Sequence, residues 1–219
     1  MTDLPPPPPY PPPPPSYPPP PAPPEPPRTR GALPVVLALV AAVLVVALAV
    51  TLPMLVRDLR ATRAAEEAAT LADVREYDDL STAHTPADVD YPQTPPAGGP
   101  HARVWLDCGA YDEPVNDEAA VHDLEHGTVW ITYDPDLDDD DVSALEDALP
   151  ANGILSPYAG LDAPVVVTVW GRQLALDGAD DPRLELFIRT YGGGETAPEP
   201  SASCAGGTRD PDGDPGTSV

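Results

Sequence analysis

The hydrophobic positions of this chain form one long unbroken block followed by several short periodic ones. Residues 33–56 run for 24 positions without a charge, and Thr51 is their only side chain that needs a hydrogen-bond partner. A helix of that length reaches roughly 36 Å, more than the roughly 30 Å hydrocarbon core of a bilayer, and it exceeds the about 7 to 15 residues of a signal-peptide core. The block therefore reads as a transmembrane helix at 32–56. From 57 to 76, alanine, arginine and glutamate surround Leu59, Leu71 and Val74, which predicts a helical stalk with little apolar surface of its own.

Past residue 77 the pattern alternates between strand and helix periods. A proline- and glycine-rich loop, residues 91–101, comes first and should drape over a folded body. Residues 103–107 read as a short strand. Asn116 caps a helix whose apolar positions Ala120, Val121 and Leu124 precede Gly127, a stop signal. Residues 128–133 are β-branched and aromatic, as in a strand. The acidic run 138–141 opens a second helix with Val142, Leu145 and Leu149 on one face, ended by Pro150. Residues 154–156 predict a short strand, 165–170 a central one, 173–176 its continuation after a bend at Gly171, and 182–191 a third helix. The connections are too short for a regular βαβ series. The expected class is α+β, with a small mixed sheet of three to five strands and about three helices after the single transmembrane helix.

Composition changes the picture at the two ends. Eighteen of the 35 prolines fall between Pro5 and Pro27, so residues 1–31 are expected to form a disordered, solvated polyproline II tail. Its default role is a spacer, with Tyr10 and Tyr17 as contacts for a partner. Residues 205–219 return to Gly, Pro, Ser and Asp and read as a disordered acidic tail. The folded extramembrane domain is thus expected at 77–204.

Charge divides the chain in the same way. Through residue 63 there are five arginines against three acids, whereas the remaining 156 residues carry 33 acids against six arginines, net −27, and lysine is absent throughout. Such a surface repels nucleic acid and anionic headgroups, and leaves cations or a basic envelope partner as the ligands it suits. The arginines flanking the span are nearly balanced, so the positive-inside rule does not orient it. The two cysteines, Cys108 and Cys204, both follow the span, and a lone pair 96 positions apart suits a disulfide in an oxidising compartment. The proline-rich N-terminus is therefore expected in the cytoplasm and the acidic domain outside; two free thiols in a cytoplasmic domain are the rival reading.

The candidate chemistry is concentrated. All four histidines, His84, His101, His122 and His126, fall within 43 residues. His122 and His126 are four apart on one helix, a spacing that can chelate one metal ion, and His84 and His101 lie in extended segments able to fold over that face. Imidazole-rich sites suit copper or zinc, with Glu125 and Cys108 as further donors. The bland alternative is structural: His126 in a last helical turn favours the macrodipole, and a histidine can anchor a loop by hydrogen bonding. A sharper alternative is catalytic. His122-Asp123-Leu124-Glu125-His126 spells H-x-x-E-H, the inverted zincin order, in which two histidines bind zinc and Glu125 activates water. That needs a third ligand, and Glu195 and Glu199 stand 69 and 73 residues after His126 in an irregular segment. Asp138 to Asp141, and Asp210, Asp212 and Asp214, could attract calcium, but a helix N-terminus and a loop without a closing glutamate explain them better.

Several blocks together resemble a known family. They are Tyr91-Pro92-Gln93-Thr94-Pro95-Pro96 with Gly99-Pro100-His101, Cys108 through Val115, Ala120 through Trp130, Ser156-Pro157-Tyr158, Trp170-Gly171-Arg172, and Pro198-Glu199 before Cys204. Over about residues 84–204 the chain is similar to the actinobacterial membrane-anchored proteins grouped as domain of unknown function 3105. Gly98 and Asp123 stand where that family commonly has serine, and neither difference removes a ligand. The resemblance implies an N-terminal span with an exported domain and includes all four histidines and both cysteines. It implies no activity. The leading expectation is a non-catalytic metal-binding domain using His122 and His126 with His101 or His84, ahead of an envelope interaction module with structural histidines and of a zinc hydrolase.

Overall fold

The structure is a computed structural model that describes residues 33–213. The proline-rich tail expected at 1–31 and the last residues of the acidic tail, 214–219, lie outside the described residues. The described residues fall into two units, divided between Met54 and Leu55.

In the first unit the apolar block is helical, within α1, Leu33–Ala68. Val36, Leu39, Val43, Val46 and Val50 are all more than half exposed, which is what lipid contact requires of a lone helix. This one helix is long and apolar enough to cross a membrane.

The second unit is α+β, built on one six-stranded mixed sheet. Its strands are β1 (Arg75–Glu76), β2 (Gly109–Ala110), β3 (Val129–Tyr133), β4 (Gly153–Pro157), β5 (Val165–Val169) and β6 (Arg172–Leu176), and its further helices are α2 (Asp117–Glu125), α3 (Asp139–Ala148) and α4 (Arg183–Tyr191). The spatial order is β1-β6-β5-β3-β4-β2. β3 and β4 run parallel, joined through α3, while β5 is antiparallel to β3 and to β6. Period-two alternation separates two cores. Val129 and Ile131 of β3 join Leu155, Val167, Leu174 and Phe187 on one face. Trp130 between them turns to the other face, with Ile154 and the α2 residues Ala120, Val121 and Leu124. Helices α3 and α4 therefore cover one side of the sheet and α2 the other. Each face buries a separate apolar cluster, which is why β3, β4 and β5 are buried along their whole length.

Five expectations need correction. The sheet has six strands, not three to five, because two-residue strands extend both edges. The stalk is not helical to 76: Leu71 and Val74 pack against the core, and Arg75 and Glu76 pair with Gln173 and Arg172. Residues 173–176 are not a continuation of β5 but its hairpin partner, turned at Gly171, whose φ of +70° places a Cβ 2.7 Å from the Tyr77 carbonyl oxygen. Residues 103–107 enter no sheet ladder. The Leu106 N–H is taken by Asp123, and the flanking Trp105 carbonyl and Asp107 N–H bond instead to the main chain of Thr208. Residues 205–213, which composition places in a tail, are held to the body by those bonds and by the Asn116 N–H to Pro211 carbonyl bond.

Candidate metal centre

Helix α2 organises the centre. Its start is set by Asn116, whose Oδ1 accepts the Ala119 N–H at 2.8 Å, and its end by Gly127 at φ +79°. Ala119 through Glu125 are all buried, so three ionisable residues, His122, Asp123 and Glu125, are carried into the interior by a helix that is covered on every side. A buried polar group is costly without a partner. Each of the three has one, and each partner lies on an irregular segment. Asp123 Oδ2 accepts the Leu106 N–H at 2.9 Å; burial pushes this carboxyl well above the usual carboxylate range, and its Oδ1 has no partner. His122 Nδ1 lies 3.3 Å from the Val104 carbonyl oxygen. Glu125 Oε2 lies 3.0 Å from His101 Nε2.

His101 arrives on the 91–101 loop. That loop is pinned by the Tyr91 hydroxyl donating to the Pro100 carbonyl at 2.5 Å, by Gln173 Nε2 donating to the Pro95 carbonyl at 2.9 Å, and by the Gly171 N–H donating to the Ala97 carbonyl at 2.7 Å. His84 is placed by a parallel bridge to His101, in which the Thr85 N–H donates to the His101 carbonyl and the His101 N–H to the Ala83 carbonyl. The result is a near-equilateral triangle of imidazoles. Ring centroids are 4.8 Å apart for His84 and His101, 5.0 Å for His84 and His122, and 5.0 Å for His101 and His122. With Glu125, these residues offer four ligand atoms that all lie within 4.8 Å of one another.

Proton bookkeeping at His101 defines what this cluster lacks. Its Nδ1 is 2.8 Å from the Gly99 carbonyl oxygen, which can only accept, so Nδ1 carries the hydrogen. In the neutral ring Nε2 is then a bare lone pair, and it faces a buried carboxylate oxygen. Two acceptors at that distance require a shared proton or a cation between them. The same reading applies to His122: with Nδ1–H directed to Val104, Nε2 is the free donor atom. A histidine that gives its second N–H to a backbone carbonyl is oriented as metal-ligating histidines are. Burial, then the neighbouring imidazoles of His126, His101 and His84, lower the His122 pKa to about 4, so its lone pair is available across the neutral range.

The remaining predicted residues fall elsewhere. His126 is the C-cap residue of α2, with its ring 4.5 Å from His122 and 5.2 Å from Trp105. It stands outside the group of four: its Nε2 is 3.8 Å from the exposed Glu199, and burial lowers its pKa against the pull of that carboxylate. Helical geometry explains the split. At about 100° per residue, Glu125 lies about 60° to one side of His122 and His126 about 40° to the other, and the loops carrying His84 and His101 cover the Glu125 side. Glu195 accepts the Gly193 N–H and takes no part in the cluster. Cys108 is joined to Cys204 and so supplies no thiolate. The carbonyls of Gly99 and Val104 have no signature in the sequence.

The fold and site thus define an α+β domain with a cluster of three histidines and one carboxylate, buried except for His84, a donor set suited to a divalent first-row transition metal. A family model, protein of unknown function (DUF3105), matches residues 83–206, and the chain belongs to that family. No curated protein and no solved structure matches the chain.

Proposed function

We propose that this chain is a single-pass membrane protein whose acidic domain, on the extracytoplasmic side, binds one copper or zinc ion without catalysing a reaction. The ligands are His84, His101, His122 and Glu125, with His126 adjoining. The proline-rich residues 1–31 are cytoplasmic and residues 32–56 span the membrane. The reading rests on one observation above the others, the convergence of four donor atoms within 4.8 Å around a buried lone pair and carboxylate. Three neutral imidazoles and one carboxylate bring a single negative charge, which a divalent ion more than neutralises in a site where an unpaired charge is costly. The hydrolase arrangement needs Glu125 as a free base beside the metal; its place among the donors favours binding over catalysis.

The test is metal stoichiometry. The full chain, purified in detergent and titrated with Zn(II) or Cu(II), binds about one ion, and the His101→Ala, His122→Ala double variant binds none. Unchanged binding in that variant would refute the proposal. A second reading rests on the net −27 of residues 64–219: an envelope module that captures a basic partner. It predicts partner capture that weakens steeply with salt and no stoichiometric ion.

A further inference from the structure

The four ligands of the proposed site are not equivalent. His101, His122 and Glu125 are buried, with exposures of 0%, 6% and 3%. His101 and His122 each have the second ring nitrogen directed to a backbone carbonyl, Gly99 and Val104, and Glu125, the buried last residue of a capped helix, has its Oε2 3.0 Å from His101 Nε2. These three side chains are held in place before any ion arrives. His84 differs in both respects. It is the one exposed member of the four, and among the described residues its ring makes no hydrogen bond, while its edge-on ring contacts are with His101 and His122. Its main chain, however, is fixed by the bridge to His101. A tethered backbone with an untethered, solvent-facing imidazole can leave and regain its position by side-chain rotation alone, a motion of picoseconds to nanoseconds for exposed residues.

Building on the metal-site reading above, we infer that His84 is the exchangeable ligand, and that the ion enters and leaves the buried triad of His101, His122 and Glu125 through the position His84 vacates. The buried triad supplies retention, since breaking it means displacing a desolvated carboxylate and two oriented imidazoles. His84 supplies access. A partner that takes the ion, or delivers it, does so by presenting its own donor, an imidazole or thiolate side chain or a small chelator, at the His84 position. Coordination number is then conserved throughout: one nitrogen leaves as one donor arrives, and no protonation or oxidation is needed.

The test follows metal release. Full chain loaded with Zn(II) in detergent is mixed with excess EDTA, and the release rate is compared among wild type, His84→Ala and His101→Ala, with circular dichroism confirming that each is folded. The expected result for His84→Ala is one ion per chain, released on the order of tenfold faster than from wild type. Free imidazole at millimolar concentration should slow that release again. His101→Ala should lose stoichiometric binding. The inference is overturned if His84→Ala releases zinc at the wild-type rate, or if it loses stoichiometric binding as His101→Ala does. Failure of the underlying metal reading is seen separately, as a wild-type chain that binds no zinc in the loading step. Co(II) loading gives a second readout: the His84→Ala visible spectrum should differ from wild type and return toward it with imidazole, and an identical spectrum would also overturn the assignment.

Discussion

His101 Nε2 and Glu125 Oε2 face each other at 3.0 Å inside the domain, each an acceptor once the Gly99 carbonyl has fixed the His101 tautomer. The pair can be satisfied by a cation or by a single added proton donor, and the two remedies are separable. Glu125→Gln keeps the shape and supplies an amide N–H that can donate to His101 Nε2. In chelator, this variant should be at least as stable as wild type. With zinc at about 100 times the wild-type Kd, wild type gains about 2.7 kcal/mol, a melting-temperature rise of roughly 5 to 10 °C for a chain of this size. The variant should show little of that rise. Thermal melts with and without zinc check both halves.

His126 offers the clearest contrast with an expectation based on spacing. The i, i+4 pair His122 and His126 suggests a chelate, yet His126 faces Glu199 and Trp105 while the other imidazoles gather on the Glu125 side. Accordingly, His126→Ala should keep one ion per chain, with affinity changed by less than about tenfold, whereas His122→Ala should lose it. Isothermal titration of the two variants with Zn(II) distinguishes them.

What was legible in the sequence follows the range of the interactions that decide it. Helix α2 and strands β3 and β5 were readable because their causes are local: Asn116 and Gly127 at the helix ends, β-branched runs in the strands. The clustering of the histidines was also readable, since the residue type itself is rare in this chain. The geometry of the cluster was not. Whether Glu125 or His126 joins His122 depends on which side of α2 the distant loops cover, and those loops are placed by bonds such as Gln173 to Pro95 that no local pattern announces. The same holds for Thr208, whose pairing with the chain beside Leu106 takes a segment of low-complexity composition into the fold.

The disulfide is the covalent part of that long-range order. Cys204 joins Cys108 across 96 residues, its N–H donates to Asn152 Oδ1, and it lies between Glu199, whose N–H donates to the Glu125 carbonyl, and Thr208. Replacing both cysteines by serine should lower the unfolding free energy by about 2 to 5 kcal/mol. Because the strap also covers the end of α2, zinc affinity should fall in the same variant. Urea unfolding and zinc titration of the full chain in detergent measure the two effects.

His122 makes the stability of the metal-free domain depend on pH in a defined direction. Its pKa is lowered to about 4 by burial and by the imidazoles around it, against about 6.5 in an unfolded chain. As pH falls through 6.5 the unfolded state takes up a proton that the folded state refuses, so this contribution is fully present above 6.5 and is lost as pH falls toward 4. Between pH 7.5 and pH 5 the loss is about 2 kcal/mol. Asp117, raised to about 6 chiefly by burial, opposes it, because the folded state binds that proton more readily and gains stability as pH falls. A comparison of wild type with His122→Asn cancels the Asp117 contribution, and asparagine can still donate to the Val104 carbonyl. In EDTA, wild type should lose about 2 kcal/mol more than His122→Asn on going from pH 7.5 to pH 5. Equal losses in the two proteins would show that the His122 imidazole is free to protonate in the folded state, and would remove the basis for treating its lone pair as held ready for an ion.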